Sequence, residues 1–162
     1  MPDNQDLFNK ILHHALTGKN AHAETGALLD GLDWKLAGLR PAGAPHSVFQ
    51  LANHMIYWQE WVVNWFDGKK PKIPKHAAGG WPGDVSPAGR DEWKKTVRRF
   101  HAALDALDRR SSEADLLTKG GKMTRLEMLN LIATHNSYHA GQISFLRQQL
   151  KSWPPPSGGC TW

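Results

Sequence analysis

Cysteine is nearly missing from this chain of 162 residues; Cys160 is the only one. A lone thiol excludes an internal disulfide framework and any zinc site built on cysteine ligands. No run alternates apolar and polar residues with period two, so no strand is expected. No repeat period and no low-complexity tract is present either. The most apolar stretch, Phe49 to Phe66, is interrupted by His54, Gln59 and Glu60 and makes a poor membrane span. The opening Met-Pro-Asp-Asn-Gln-Asp has no basic segment followed by an apolar core, so no secretory signal is expected. These absences point to a cytoplasmic protein with no membrane partner.

The composition is that of a globular chain, with 40% hydrophobic and 22% charged residues. The length fits one domain of ordinary size. A net charge of +5 is modest. Lys94, Lys95, Arg98 and Arg99 alternate with Asp91 and Glu92 rather than forming a basic stripe, so no nucleic-acid partner is expected. What the chain does have in excess is nine histidines and eight tryptophans. Any chemistry done by the histidines must proceed without thiolates from the protein.

Apolar spacing is helical wherever it is clear. A first helix from about Asp3 to Leu16 places Leu7, Ile11 and His14 on one face. After a break at Thr17-Gly18-Lys19-Asn20, a segment from Ala21 to Leu32 continues with Thr25, Leu28, Leu29 and Leu32. Arg40-Pro41-Ala42-Gly43-Ala44-Pro45 ends this arm, because proline disfavours the α conformation in the residue before it. Ser47 and Gln50 form a capping box that opens the second helix, which runs to Phe66. Its two apolar stripes are Leu51, His54, Trp58, Trp61, Trp65 and Val48, Ala52, Met55, Val62, Phe66. The Gly-, Pro- and Lys-rich residues 67–85 make an unusually long connection, long enough for the next helix to lie parallel to its predecessor. Its lysines (Lys69, Lys70, Lys72 and Lys75) read as a solvated loop. Ser86-Pro87 supplies an N-cap for a third helix to about Arg109, with Trp93, Val97, Phe100, Leu104 and Leu107 inward. Thr124 and Glu127 form a second capping box. The last helix runs to about Ser152 with Met128, Ile132, His135, His139, Ile143, Leu146 and Leu150 inward. The expected fold is therefore an all-α four-helix bundle domain over residues 1–152, with an irregular tail at 153–162.

His135 and His139 are one helical turn apart, so both imidazoles share a face, and that face is otherwise apolar. His54 occupies the equivalent place on the second helix. Three neutral imidazoles meeting inside a bundle can coordinate a divalent metal and leave a position open for water or substrate. Packing histidines would satisfy the same spacing. Between the two histidines, Asn136-Ser137-Tyr138 lacks the glutamate that acts as base in helix-borne zinc peptidases, which excludes that activity. Trp58, one turn beyond His54, is the candidate for a binding pocket; Trp61 and Trp65 read as core. Asn53, Asn136 and Tyr138 are candidates for orienting an imidazole. His13, His14, His22, His46, His76 and His101 read as surface or packing residues.

Read in order, these segments resemble the DinB-like (DNA-damage-inducible, YfiT-like) family of metal-binding bundles. The likeness rests on Pro45-His46-Ser47-Val48-Phe49-Gln50-Leu51-Ala52-Asn53-His54-Met55, on Thr134-His135-Asn136-Ser137-Tyr138-His139-Ala140-Gly141-Gln142-Ile143, and on the Arg40-Pro41…Pro45…Ser47 lead-in. It extends from about residue 5 to 152. The resemblance implies an up-down-down-up bundle with its long crossover between the second and third helices. It also implies a divalent metal (zinc, nickel or iron, with zinc favoured) on His54, His135 and His139. Relatives use low-molecular-weight thiols, as bacillithiol S-transferases or a mycothiol-dependent isomerase, and dimers are common. The isomerase branch has a carboxylate at the place of His135, which argues against that activity. The resemblance thus implies a metal-dependent thiol S-transferase acting on a small-molecule substrate, as a homodimer. A non-catalytic metal-binding protein of the stress response is the alternative. In a transferase, the reactive sulfur arrives with a cosubstrate thiol, deprotonated by the metal.

Overall fold

The computed structural model describes residues 4–19, 21–113 and 115–159. Cys160, Asn20 in the first break, and Asp3 at the expected start of the first helix lie outside them. Among the described residues five helices form: α1 (Asn4–Thr17), the short α2 (Trp34–Ala37), α3 (Val48–Phe66), α4 (Arg90–Ser111) and α5 (Arg125–Gln149). Two 3-10 turns, Thr25–Leu29 and Ala77–Gly80, add to them. A two-residue hairpin pairs β1 (Lys119–Gly120) with β2 (Met123–Thr124). It is too short to register as an alternating run in the sequence.

Side-chain contacts fix the helix directions. Glu60 on α3 meets Arg99 on α4 at 2.8 Å, and Asp67 just past α3 meets Arg110 near the end of α4, so α3 and α4 run parallel. On the other side, Gln59 of α3 donates to Asn136 of α5 at 3.2 Å, while Arg125, at the start of α5, lies over Phe66 at the end of α3. Those two helices are antiparallel. His13 of α1 meets Asp108 of α4 at 2.7 Å and Gln5 reaches the Glu113 carbonyl, so α1 opposes α4. The bundle is up-down-down-up, and residues 67–89 are the crossover that returns the chain along α3.

Both capping boxes form. Ser47 Oγ accepts from Gln50 N–H while Gln50 Oε1 accepts from Ser47 N–H, each at 3.1 Å. Thr124 and Glu127 exchange the same pair of bonds at the start of α5. The end of α5 is a Schellman turn, with Lys151 N–H donating to Gln148 and Ser152 N–H to Arg147. Its left-handed residue is Lys151, at φ 53°, where glycine is the usual occupant. Lys151→Gly is therefore expected to stabilise the protein by about 1 kcal/mol in urea denaturation, because it removes a Cβ from a left-handed position.

Three local expectations are corrected. On α1 the buried residues are Leu12 and Leu16, with Phe8 and Ala15 packed beside them, whereas Leu7 and Ile11 are 50% and 54% exposed. Both sets recur at i, i+4, and they lie about 100° apart on the helix, so spacing alone does not choose between them. Residues 21–32 are not a continuous helix, although Thr25, Leu28, Leu29 and Leu32 are buried as expected. Their backbone is claimed from outside: Arg147 Nη1 donates to the Leu28 carbonyl and Trp93 Nε1 to that of Leu32, each at 2.8 Å. Gly31, at φ 68°, turns the chain between them. Finally, α4 begins at Arg90 rather than at Ser86-Pro87. Ser47 Oγ donates to the Val85 carbonyl and Ser86 packs on Gly38, and this stretch stays a run of bends rather than helix. Glu92 then takes the Ala88 N–H in place of a serine cap.

The apolar interior forms two clusters. One gathers Leu28, Phe49, Leu51, Met55, Phe100 and Ile143; the other gathers Leu12, Leu16, Val62, Phe66, Leu107 and Ile132. Between them, α3 and α5 contribute a polar layer: His54, Gln59, His135, Asn136 and His139. Gln59 and Asn136 are fully buried, and His54 and His139 are 6% and 5% exposed. No helix among the described residues is long and apolar enough to cross a membrane.

Candidate metal centre

The antiparallel pairing of α3 and α5 brings the i, i+4 histidines of one helix against the single histidine of the other. His54, His135 and His139 each offer a ring nitrogen, and these atoms lie within 4.8 Å of one another. His54 Nε2 and His135 Nε2 are 3.2 Å apart. A cation with Zn–N distances of 2.0–2.1 Å in a tetrahedral shell separates its ligand nitrogens by about 3.4 Å. One pair is thus already at ligand spacing, the three together lie within 4.8 Å, and they can hold a metal ion.

Two of the imidazoles are oriented from behind. His54 Nδ1 donates to the Gly80 carbonyl at 2.7 Å, and His139 Nδ1 to Gln142 Oε1 at 2.7 Å. Since both acceptors are oxygens, Nδ1 carries the proton, and Nε2 of each ring is a free lone pair facing the cluster. His135 differs. Its Nδ1 is buried with no hydrogen-bond partner. Its proton therefore sits on Nε2, bridging to His54 Nε2, where a bound cation would take its place. Gln59 Oε1 and Asn136 Nδ2, in the same polar layer, are also buried without partners.

Burial keeps the cluster neutral. It is the main reason that the pKa values of His54 and His135 fall from 6.5 to about 4. For His54, the Gly80 carbonyl opposes the shift, while His139 and His46 add to it. For His135, the neighbouring His139 and His54 add to it; the nearby Asn136 amide, outside hydrogen-bond geometry, pulls least, in the other direction. His139 is also lowered, chiefly by burial and against its bond to Gln142. Neutral imidazole is the form that binds metals, so at neutral pH no imidazolium has to lose its charge before a cation binds.

Sequence reasoning missed Gly80 and Gln142 as the groups that orient the imidazoles, and it missed two rings that stack on the site. Trp81, from the crossover, stacks on His54 at 3.8 Å between ring centroids, with 10° between the planes. His46, read as a surface or packing residue, stacks on the opposite face of Trp81 at 3.7 Å. The only available signal was position: His46 directly precedes the Ser47 cap, and Trp81 follows the 3-10 turn that presents Gly80. Trp58 is half-buried and edge-on to His54, at 6.4 Å. Its indole also closes over Gly80, where a side chain would meet Trp58 Nε1 at 3.0 Å. Trp61 and Trp65 pack against the second apolar cluster.

The other candidates fall outside the cluster. Asn53 Nδ2 donates to the Phe49 carbonyl within its own helix. Asn136 accepts from Gln59, and Tyr138 is 66% exposed with its ring edge-on to His139 at 5.0 Å. His13 and His101 pair with Asp108 and Asp30, and His22 meets Ser137 Oγ at 2.9 Å. His76 is exposed.

Gln142 is the partner that fixes the His139 tautomer. Gln142→Leu keeps the side-chain bulk but removes the acceptor. It is expected to weaken metal affinity by about 10- to 100-fold while leaving the fold intact, as measured by competition with a chromogenic chelator.

The sequence profile of the DinB superfamily matches residues 19–143, a span that contains all three histidines. No curated protein and no solved structure matches the chain.

Proposed function

The chain belongs to the DinB superfamily, and from that premise we propose that it is a metal-dependent S-transferase acting with a low-molecular-weight thiol. The observation that carries this reading is the convergence of His54, His135 and His139, two of them already locked in the metal-binding tautomer. Zinc is the favoured ion over nickel or iron, because a d¹⁰ cation imposes no geometry of its own on a shell set by helix spacing.

The chemistry that a divalent cation supplies here is Lewis acidity, which lowers the pKa of a thiol at its open side into the thiolate range. The protein's own part is to hold and exclude. His54, His135 and His139 hold the cation; the Gly80 carbonyl and Gln142 fix ring orientation; the indoles of Trp81 and Trp58 shield His54 from water. Among the described residues the cluster includes no carboxylate and no thiol, so the reading requires neither a protein base nor a protein sulfur. In the transfer, the thiol S–H bond breaks and its proton passes to solvent. A sulfur–carbon bond forms, and the leaving group departs from that carbon with its electron pair.

Cobalt-substituted protein tests the reading. Its visible bands are expected to change on titration with small thiols such as cysteine and glutathione, and metal loading should accelerate alkylation of the same thiols. Bands indifferent to every thiol would move the assignment to a non-catalytic metal-binding protein.

A further inference from the structure

A groove of about 320 Å³ opens between residues 41–46 and the C-terminal half of α5. Its walls are apolar, with Ala44, Leu51, Phe145 and Leu146 among them, and no Asp, Glu, Lys or Arg lines it. That is unusual in a chain of which 22% is charged. Phe145 is 60% exposed at one lip, a large apolar ring kept in water where a ligand would cover it.

The polar groups of this groove connect it to the candidate metal centre. Gln142 lines the groove and accepts the Nδ1 proton of His139. His46 lines it too, and its ring is stacked on Trp81, whose other face covers His54. One end of the groove is therefore one side chain, Gln142, away from His139, and two stacked rings, His46 and Trp81, away from His54. Its volume is about twice that of a cavity of roughly 150 Å³ that takes up benzene, so it has room for one substituted ring or an aliphatic group of similar bulk.

We propose that this groove binds the apolar body of the second substrate, a neutral electrophile, with the reacting carbon at its Gln142 end, the part of the groove nearest the histidine cluster. The assignment of this ligand as the electrophile rests on the thiol-transfer reading; the binding of a neutral apolar group does not. Charge selects against other ligands. An anion entering the groove would leave water without meeting a cation, although the protein's net charge of +5 attracts anions at long range.

The test uses the metal-loaded full chain and two unreactive probes, 1,3-dinitrobenzene and 3,5-dinitrobenzoate, which share a ring and differ by a carboxylate. Equilibrium dialysis is expected to show the neutral probe binding at least tenfold more tightly. Phe145→Glu and Ala42→Glu, both at exposed positions, are each expected to weaken the neutral probe at least tenfold with metal content unchanged. Equal affinity for the two probes, or undiminished binding to the folded variants, overturns the proposal. Iodoacetamide, too small to need the groove, reports separately on thiol transfer. Accelerated alkylation of thiol without dinitrobenzene binding overturns the groove alone. Dinitrobenzene binding with no acceleration supports the groove and removes the thiol-transfer reading.

Discussion

His135→Ala is expected to abolish stoichiometric metal binding while leaving the metal-free protein about as stable as before. Structural zinc sites bind with about 10–16 kcal/mol, so each of four ligands carries roughly 3–4 kcal/mol. Losing one ligand should weaken affinity by two to three powers of ten. The stability half of the expectation comes from what His135 contributes without a cation. Its Nδ1 is buried with no partner, which costs about 1–3 kcal/mol, and its other nitrogen faces a second imidazole at 3.2 Å. Truncation removes that cost along with the packing of the ring, and the two changes offset to within about 1 kcal/mol. Ile132, one turn earlier on the same stripe and 2% exposed, is the control. Ile132→Ala should lose about 2–5 kcal/mol, because only packing is removed. Urea denaturation with a chelator present, together with elemental analysis of each variant, checks both halves. If His135→Ala destabilised the metal-free protein as much as Ile132→Ala, its role would be packing. Retained metal in the variant would remove His135 from the ligand set.

This contrast explains why the site was legible in the sequence. A histidine pair at i, i+4 on an apolar stripe violates the pattern that the core requires, and His54 violates it again on the partner helix. The capping boxes at Ser47 and Thr124 fixed the register of both helices, so the spacing of the histidines along each could be read directly. The crossover was legible by its length alone. What it contributes to the site was not, because Gly80 and Trp81 lie in a stretch with no periodicity and reach His54 through a backbone carbonyl and a stacked ring. His46 was set aside for the same reason. It acts through Trp81, and no spacing rule links residues 46 and 81. The α1 face and the 21–32 segment failed differently. On α1 the spacing fitted two stripes equally, and in 21–32 side chains far away in sequence, Arg147 and Trp93, claim carbonyls that a helix would have used.

Acid should unfold the metal-free protein over an unusually high pH range, and metal should move that range down. His54 and His135 titrate at about 4 in the folded state against 6.5 in an unconstrained chain, with burial the chief cause for both. Between those values the unfolded state binds more protons, so stability rises with pH across the window and falls as pH is lowered through it. Above pH 6.5 their contribution is complete; at pH 4 it is largely gone. At 1.36 kcal/mol per pKa unit, the loss is on the order of 3 kcal/mol for each histidine, a large part of the stability of a domain this size. His139, lowered for the same reason, acts in the same direction. Replacing His54 and His135 together by leucine should flatten the pH dependence of stability between pH 6.5 and 4, measured by urea titration at each pH in the presence of a chelator. In the loaded protein the same lone pairs are occupied, so protons must compete with the cation. Because the rings are neutral well below pH 6.5, affinity should change little from pH 7 to about 5 and drop steeply below that. Ordinary exposed imidazoles would already release metal near 6.5. Release centred at 6.5 would mean that the three rings are more open to water than the bundle makes them.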